Sequence, residues 1–209
     1  MIARDIPGIS TDNQVIASGG MVLITVLCDG QPLQLLPGRS LKIQIPNTLQ
    51  QNDLLVFRGL TQNGVLSAWE NTGEPVFLAD WISTSSGLPV SGYEIIATQV
   101  SWVNCGHFLE EPTSSFCVQL PLGFSDLNTE AYIVFENMLT VVPLAPNADG
   151  AYCFENAPKG YLVRLVTVSK LGGEYWLGNK QTEIGTNAGV DMAPQITGEQ
   201  QIVNFLKSL

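Results

Sequence analysis

Short β-branched and aromatic runs, separated by glycine and proline turn residues, are the feature of this sequence that most limits its fold. Residues 41–46 alternate apolar and polar side chains with the period of two that a half-buried strand shows. Asp-Gly, Pro-Gly and Pro-x-Gly sequences recur between such runs, and they suit tight turns. The pattern predicts an all-β fold with sandwich topology. We predict strands at residues 22–27, 41–46, 54–59, 64–69, 93–103, 116–120, 131–135, 151–154, 161–168 and 174–178.

Composition predicts a division of the chain near Gly92. Residues 70–92 are rich in Ser, Thr, Gly, Pro and Glu, which favours a connection with little regular structure. We therefore expect two β-rich units, an N-terminal β unit over residues 1–91 and a C-terminal β-sandwich over residues 92–209. At the end of the chain, Thr197 and Gln200 form a predicted capping box before apolar residues on one broad face. This pattern predicts a short C-terminal helix that covers an open sheet edge or end.

Charge excludes some classes of partner. The 209 residues include 9 basic and 19 acidic side chains, a formal net charge of -10 that repels phosphate backbones, so we expect no nucleic-acid partner. No run approaches the roughly 20 apolar residues of a membrane-spanning helix, so we expect no membrane span. The first residues lack a basic segment followed by a long apolar one, as a signal peptide has. We expect either a cytosolic chain or a mature or truncated piece whose upstream region is absent.

The groups that usually perform catalysis near neutral pH are few and scattered. His107 is the only histidine. A closed zinc site normally needs four ligands, and no second histidine is present to complete such a site with His107 and Cys105. We therefore expect no metal, no cofactor and no catalytic residues. The alternative is an enzyme accessory or hydrolase domain whose site uses the carboxylates Asp80, Asp126 and Asp149.

The cysteines leave their redox state open. The sequence has four widely separated cysteines, Cys28, Cys105, Cys117 and Cys153, and no CxxC motif. This spacing argues against a zinc ribbon or a thioredoxin motif. A Cys105–Cys117 disulfide and isolated buried thiols are both compatible with the spacing. We expect Cys105 to be a structural thiol and Trp102, three residues earlier, to be a buried core residue.

Residues 101–108 read Ser-Trp-Val-Asn-Cys-Gly-His-Phe, and they follow Gly19-Gly20-Met21, Asp29-Gly30-Gln31-Pro32-Leu33, Leu36-Pro37-Gly38, Ile43-Gln44-Ile45-Pro46, Phe57-Arg58-Gly59 and Trp69. In order and spacing, over nearly the whole chain, this resembles uncharacterised secreted or lipoprotein-like envelope proteins of Bacteroidetes-type bacteria. Their pattern at this place is Gly-Trp-Ile-Asn-Cys-Asp-Arg-Phe. Ser101, Gly106 and His107 depart from its Gly, Asp and Arg, so a role for that charged pair is lost or altered here. The resemblance implies a cell-envelope or secreted location and no known activity.

Residues 148–161 carry a second motif, with Asp149-Gly150 before one strand and Pro158-Lys159-Gly160 before the next. It resembles the transthyretin-like repeats that serve as regulatory or spacer domains in carboxypeptidases and surface proteins. Any tight turn between strands needs the same residues. The motif therefore supports a β-sandwich and says little about a ligand.

Exposed aromatic residues are the candidate ligand-binding groups. Sugar rings lie with their apolar faces against aromatic side chains, although most tryptophans of a sandwich belong to its core. Trp81 lies in the Ser/Thr/Gly-rich connection, where burial is least assured. Tyr175 and Trp176 are adjacent in a strand, so one of them faces outward. We expect a noncatalytic cell-envelope or secreted module for adhesion, spacing or binding of a glycan or an envelope protein.

Overall fold

A computed structural model of the chain describes residues 2, 6–136, 138–187 and 189–209. Strands hold more than half of the chain, and the predicted all-β class with a short C-terminal helix is confirmed. In chain order, the described residues form β1 (Ile16–Leu23), β2 (Leu27–Cys28), β3 (Gln31–Pro32), β4 (Leu41–Pro46), β5 (Leu55–Gln62), β6 (Val65–Pro75), β7 (Phe77–Ile82), β8 (Pro89–Ala97), β9 (Trp102–Phe108), β10 (Thr113–Gln119), β11 (Thr129–Phe135), β12 (Thr140–Pro146), β13 (Tyr152–Pro158), β14 (Leu162–Leu171), β15 (Glu174–Glu183), β16 (Gly189–Asp191), β17 (Gln195–Thr197) and α1 (Glu199–Ser208).

The chain forms two compact units, and one of them interrupts the other in sequence. The inserted unit is Ile16–Phe108, and the split unit combines Met1–Val15 with Leu109–Leu209. These bounds differ from the predicted division into residues 1–91 and 92–209.

Gly92 lies within β8 rather than at a boundary. It is opposite Pro46 of β4 and Ala79 of β7, so strands pair on both sides of it. The predicted connection, residues 70–92, instead contributes the end of β6, all of β7 and the start of β8. Pairing with β8 supplies the backbone hydrogen bonds of β7, and this tertiary context outweighs the loop-like composition.

The inserted unit is a sandwich of two sheets with one apolar core between them. One sheet has the strand order β1-β9-β5-β6 and the other β4-β8-β7, while β2 and β3 form a separate hairpin. Strands of both sheets supply the buried cluster. Its members are Leu54, Val56, Tyr93, Ile95, Ala97, Val103 and Cys105, with Val22, Ile43, Ile45 and Val76 packed against them.

The run around Trp102 begins a strand instead of ending one. Residues 93–103, predicted as one long strand or a strand with a bulge, are divided by a bend at residues 98–101, so β8 pairs in one sheet and β9 in the other. Trp102 is half-buried, whereas Trp69 is fully buried. The two rings pack edge to face at a centroid distance of 6.4 Å. Trp102 is therefore not the fully buried core residue that the sequence predicts.

The split unit contains one curled sheet of eight strands and the helix. The strand order is β16-β10-β13-β12-β11-β14-β15-β17, and the pairs are antiparallel except that of β10 with β16. Phe205 and Leu206 of α1 pack on an apolar cluster that includes Tyr132 of β11 and Val166 of β14. These are central strands of the sheet, so the helix covers a sheet face and not the predicted edge.

The helix begins one residue later than the capping pattern predicts. Gly198 is the N-cap residue, and Gln201 rather than Gln200 is its partner. The Gln201 Oε1 atom accepts hydrogen bonds from the Gly198 backbone N–H at 3.0 Å and from the Thr197 hydroxyl at 2.7 Å. Among the described residues, no helix has the length and hydrophobicity needed to cross a bilayer.

One disulfide joins neighbouring strands of the split unit. Cys117 of β10 and Cys153 of β13 are directly opposite each other and are bonded. The alternative pairing of Cys105 with Cys117 is wrong, because Cys105 lies in β9 of the inserted unit and is a buried free thiol. Its thiol donates to the Gly20 carbonyl at 3.3 Å, and burial raises the pKa of Cys105 to about 12. Cys28 is free and exposed.

Candidate functional site

Tyr175 and Trp176 lie at the start of β15, just after a two-glycine turn. Gly172 and Gly173 have φ angles of 63° and 87°, which glycine adopts without the steric cost of a Cβ. The turn sets the register in which Lys170 of β14 is opposite Tyr175. The Lys170 Nζ atom lies 5.2 Å from the centroid of the Tyr175 ring, a cation–π contact.

Trp176 is engaged in contacts within the split unit. It is half-buried, its ring packs edge to face on Phe124 at a centroid distance of 5.6 Å, and its indole N–H donates to the Leu171 carbonyl at 3.5 Å. Successive strand residues point to opposite faces of a sheet. Tyr175 and Trp176 therefore lie on opposite faces of β15, and both are half-buried.

Tyr175 lines a surface cleft of about 300 Å³, which we call the tyrosine cleft. Residues of the loop before β11, of β11 itself and of the β14–β15 hairpin form its walls. Their chemistry is mixed, with carboxylates, an amide, an ammonium group and an aromatic ring. The lining residues are Asp126, Leu127, Asn128, Thr129, Glu130, Val168, Ser169, Lys170 and Tyr175.

Asn128 fixes the loop that carries Asp126. Its side-chain amide donates to the Gly123 carbonyl at 2.9 Å, and its Oδ1 atom accepts from the Ser125 N–H at 3.0 Å and from the Thr129 hydroxyl at 2.8 Å. The Thr129 and Ser169 hydroxyls are also hydrogen-bonded to each other across the β11–β14 pair at 2.9 Å. These bonds hold the acidic loop beside the hairpin of Tyr175.

A second cleft, which we call the proline cleft, has a volume of about 240 Å³ and shares Asp126, Thr129 and Glu130 with the first. The Tyr132 hydroxyl donates to Glu130 Oε2 at 2.6 Å and so orients that carboxylate. Tyr152 donates to the Thr129 carbonyl at 3.2 Å. Burial raises the pKa of Tyr152, and the negative charge of Asp126 adds to the increase. The other lining residues are Ala131, Pro143, Leu144 and Pro146.

Trp81, the third predicted binding residue, lies in β7 of the inserted unit. It is half-buried and opposite Val90 of β8. Its ring packs over Gly92, where an added Cβ would come within 2.8 Å of the Trp81 Cη2 atom. Trp81 is thus in a different unit from Tyr175 and Trp176, and ligand binding by the three residues stays a prediction.

The carboxylates of the alternative hydrolase site are distributed over both units. Asp80 in the inserted unit accepts a hydrogen bond from the Ser91 hydroxyl at 2.6 Å. Asp149 lies in the turn between β12 and β13, where its N–H donates to Asn147 Oδ1 at 3.0 Å. Asp126 lines both clefts described above. Within the described part of the chain, no three His, Cys, Asp or Glu residues are placed to hold a metal ion.

Sequence reasoning missed Glu130, Lys170, Asn128 and Tyr132. One local signal was available, since Glu130 and Tyr132 are two residues apart on one strand and therefore share a face. The position of Lys170 beside the acidic loop follows from the pairing of β14 with β11 and has no local signal.

Comparison of the chain with protein-family models, curated proteins and solved structures found no match. The resemblances to envelope proteins of Bacteroidetes-type bacteria and to transthyretin-like repeats therefore stay predictions.

Proposed function

We propose that this protein is a noncatalytic module of the cell envelope or the secreted fraction and that it binds a glycan in the tyrosine cleft. The observation that carries the proposal is the position of the half-buried Tyr175 ring next to Asp126, Asn128 and Glu130. An aromatic ring receives the apolar face of a sugar, while carboxylate oxygens accept hydrogen bonds from its hydroxyl groups.

The clefts favour a short chain of sugars over a compact small molecule. The tyrosine cleft is at the lower end of the volumes that enclose a drug-sized ligand, which run from about 300 Å³. The adjoining proline cleft shares Asp126 and Glu130 with it. A short oligosaccharide crossing the two clefts would therefore place successive residues on either side of the same carboxylates.

The disulfide supports the proposed location. Disulfides persist in secreted proteins and in the bacterial periplasm and are rare in the cytosol, where thiols are kept reduced. The Cys117–Cys153 bond joins two strands of the sheet that carries Tyr175. An oxidising compartment is consistent with an envelope or secreted module.

A glycan array followed by calorimetric titration of the best oligosaccharide tests the proposal. Tyr175→Ala should weaken binding about tenfold, because an aromatic contact contributes about 1 kcal/mol or more. Tyr175→Phe keeps the ring and should retain most of the affinity. Lys180→Ala, on the same strand and hydrogen-bonded to the Asp191 carbonyl at 3.0 Å, is the matched control.

Three results would overturn the proposal. They are no binding on the array, undiminished affinity in Tyr175→Ala, and steep loss of affinity with salt, since a binding mode without ion pairs is screened little. If the protein releases reducing ends from the bound glycan and Asp126→Asn abolishes that release, the hydrolase alternative replaces the noncatalytic proposal.

A further inference from the structure

The inserted unit contains a cavity of about 470 Å³ that lies outside the clefts described above. Strands β5 and β6, the end of β8, the start of β9 and the segment between β8 and β9 form it. Its lining residues are Val56, Phe57, Arg58, Glu70, Asn71, Thr72, Glu74, Ile96, Ala97, Thr98, Gln99 and Val103. None of these was among the predicted site residues.

A β-bulge in β6 makes one wall of this cavity. Leu55 is opposite Pro75 and Phe57 is opposite Asn71, so residues 72–74 fall outside the regular register. The Thr72 hydroxyl donates to the Val56 carbonyl at 2.8 Å and ties the bulge to β5. Bulges occur preferentially at sheet edges, where β6 lies, and next to functional sites, where they redirect side chains.

Arg58 is the central polar group of the cavity. It is opposite Glu70 in the β5–β6 pair, and its Nη2 atom forms an ion pair with the Glu70 carboxylate. Its Nη1 atom donates to Gln99 Oε1 at 3.4 Å. The Nε atom is buried and, among the described residues, has no hydrogen-bond partner. The Arg58 side chain as a whole is 41% exposed, so the accessible part of its guanidinium group can donate to a ligand oxygen in the cavity.

The charges of the lining disfavour an ionic ligand. Glu70 neutralises Arg58, so the polar centre of the cavity attracts neither an anion nor a cation, and the remaining carboxylate, Glu74, is exposed on the bulge, where solvent and salt screen its charge. Glu74 and the side chains of Asn71 and Thr98 offer acceptors and donors at the rim. Val56 and Val103 are buried apolar residues of the lining, and Ile96 is exposed. A ligand that fits has several hydroxyl groups, no net charge and an apolar face.

We propose that this cavity is a second saccharide site, which binds a neutral pyranose through Arg58, Gln99 and Glu74. The exposed part of the Arg58 guanidinium group donates to a ring or hydroxyl oxygen, Glu74 accepts from a sugar hydroxyl, and the apolar residues contact the C–H face of the ring. The site is independent of the tyrosine cleft, because all of its residues belong to the inserted unit.

Binding of glucose, galactose, mannose and N-acetylglucosamine, measured one at a time by saturation-transfer NMR and titration, tests this site. Glucuronic acid and glucosamine serve as the charged probes. At least one neutral sugar should bind more tightly than both charged ones. Arg58→Gln should weaken that binding by about tenfold or more, since it removes hydrogen bonds donated by a charged group.

Two further variants separate a binding role from a structural one. Lys42 forms another cross-strand ion pair of the inserted unit, at 3.0 Å from Glu94 and outside the cavity. Lys42→Gln removes this pair and should leave sugar binding unchanged. Glu74→Gln changes one exposed carboxylate on the bulge and should weaken binding several-fold at an unchanged melting temperature. It keeps the test valid if Arg58→Gln fails to fold.

Tyr175→Ala should leave the affinity of this site intact, so failure of the tyrosine cleft and failure of this cavity give different results. Preferential binding of glucuronic acid or glucosamine would overturn the proposal. Full affinity in Glu74→Gln, or no binding of any neutral sugar at millimolar concentration to folded protein, would do the same.

Discussion

Removal of the Cys117–Cys153 disulfide should destabilise this chain more than most substitutions that leave no cavity in its core. The bond closes a loop with a sequence separation of 36 residues. For that length, the chain-entropy relation gives a loss of about 13 cal/mol/K in the unfolded state, or about 4 kcal/mol at 25 °C. The Cys117→Ala/Cys153→Ala variant should therefore lose roughly that free energy of unfolding.

Urea unfolding followed by far-ultraviolet circular dichroism measures the difference. The slope of the free energy against urea concentration should rise in the variant, because a chain without the cross-link exposes more surface on unfolding. Cys28→Ala is the matched control, since it removes an exposed free thiol and should change stability by no more than about 0.5 kcal/mol.

The reasoning fails if the double variant loses less than about 1 kcal/mol relative to Cys28→Ala. It also fails if mass spectrometry of the denatured, unreduced protein after alkylation finds four modified cysteines, because two are expected.

Two further predictions concern local packing. In the native protein at pH 8, Ellman's reagent should react with one thiol, that of Cys28, because Cys105 is buried and its pKa is raised to about 12. The Cys105 thiol should react only after unfolding. Rapid reaction of two thiols in the native protein would contradict the burial of Cys105. Gly92→Ala should destabilise the inserted unit by about 1–3 kcal/mol, because the new Cβ would come 2.2 Å from the Ile45 carbonyl oxygen. Thermal unfolding beside Ser91→Ala measures the effect, and equal melting temperatures would refute it.

The sequence predicts those features that depend on residues close together in the chain. The alternation in residues 41–46 is visible as the alternating burial of β4. Asp29 and Gly30 have the positive φ angles, 50° and 78°, that the turn between β2 and β3 needs. The placement of Tyr175 and Trp176 on opposite faces of β15 follows from the same period of two.

Features that depend on distant residues were not predictable. Strand β7 forms because β8 pairs with it, although its own composition resembles that of a loop. The acidic loop reaches Tyr175 because Thr129 of β11 is opposite Ser169 of β14. The partner of Cys117 is fixed by the pairing of β10 with β13, which the spacing of the cysteines does not reveal.

The interruption of one unit by the other determines the order in which the chain can fold as it is synthesised. All strands of the inserted unit are available once residue 108 has left the ribosome. Gly8, in contrast, donates its N–H to the Val141 carbonyl, and Val15 accepts from the Leu109 N–H at 3.0 Å. Because domains generally fold as units during synthesis, the inserted unit forms while the split unit still lacks most of its sheet. Gly8 and Val15 are thus made before the inserted unit and find their partners only after it.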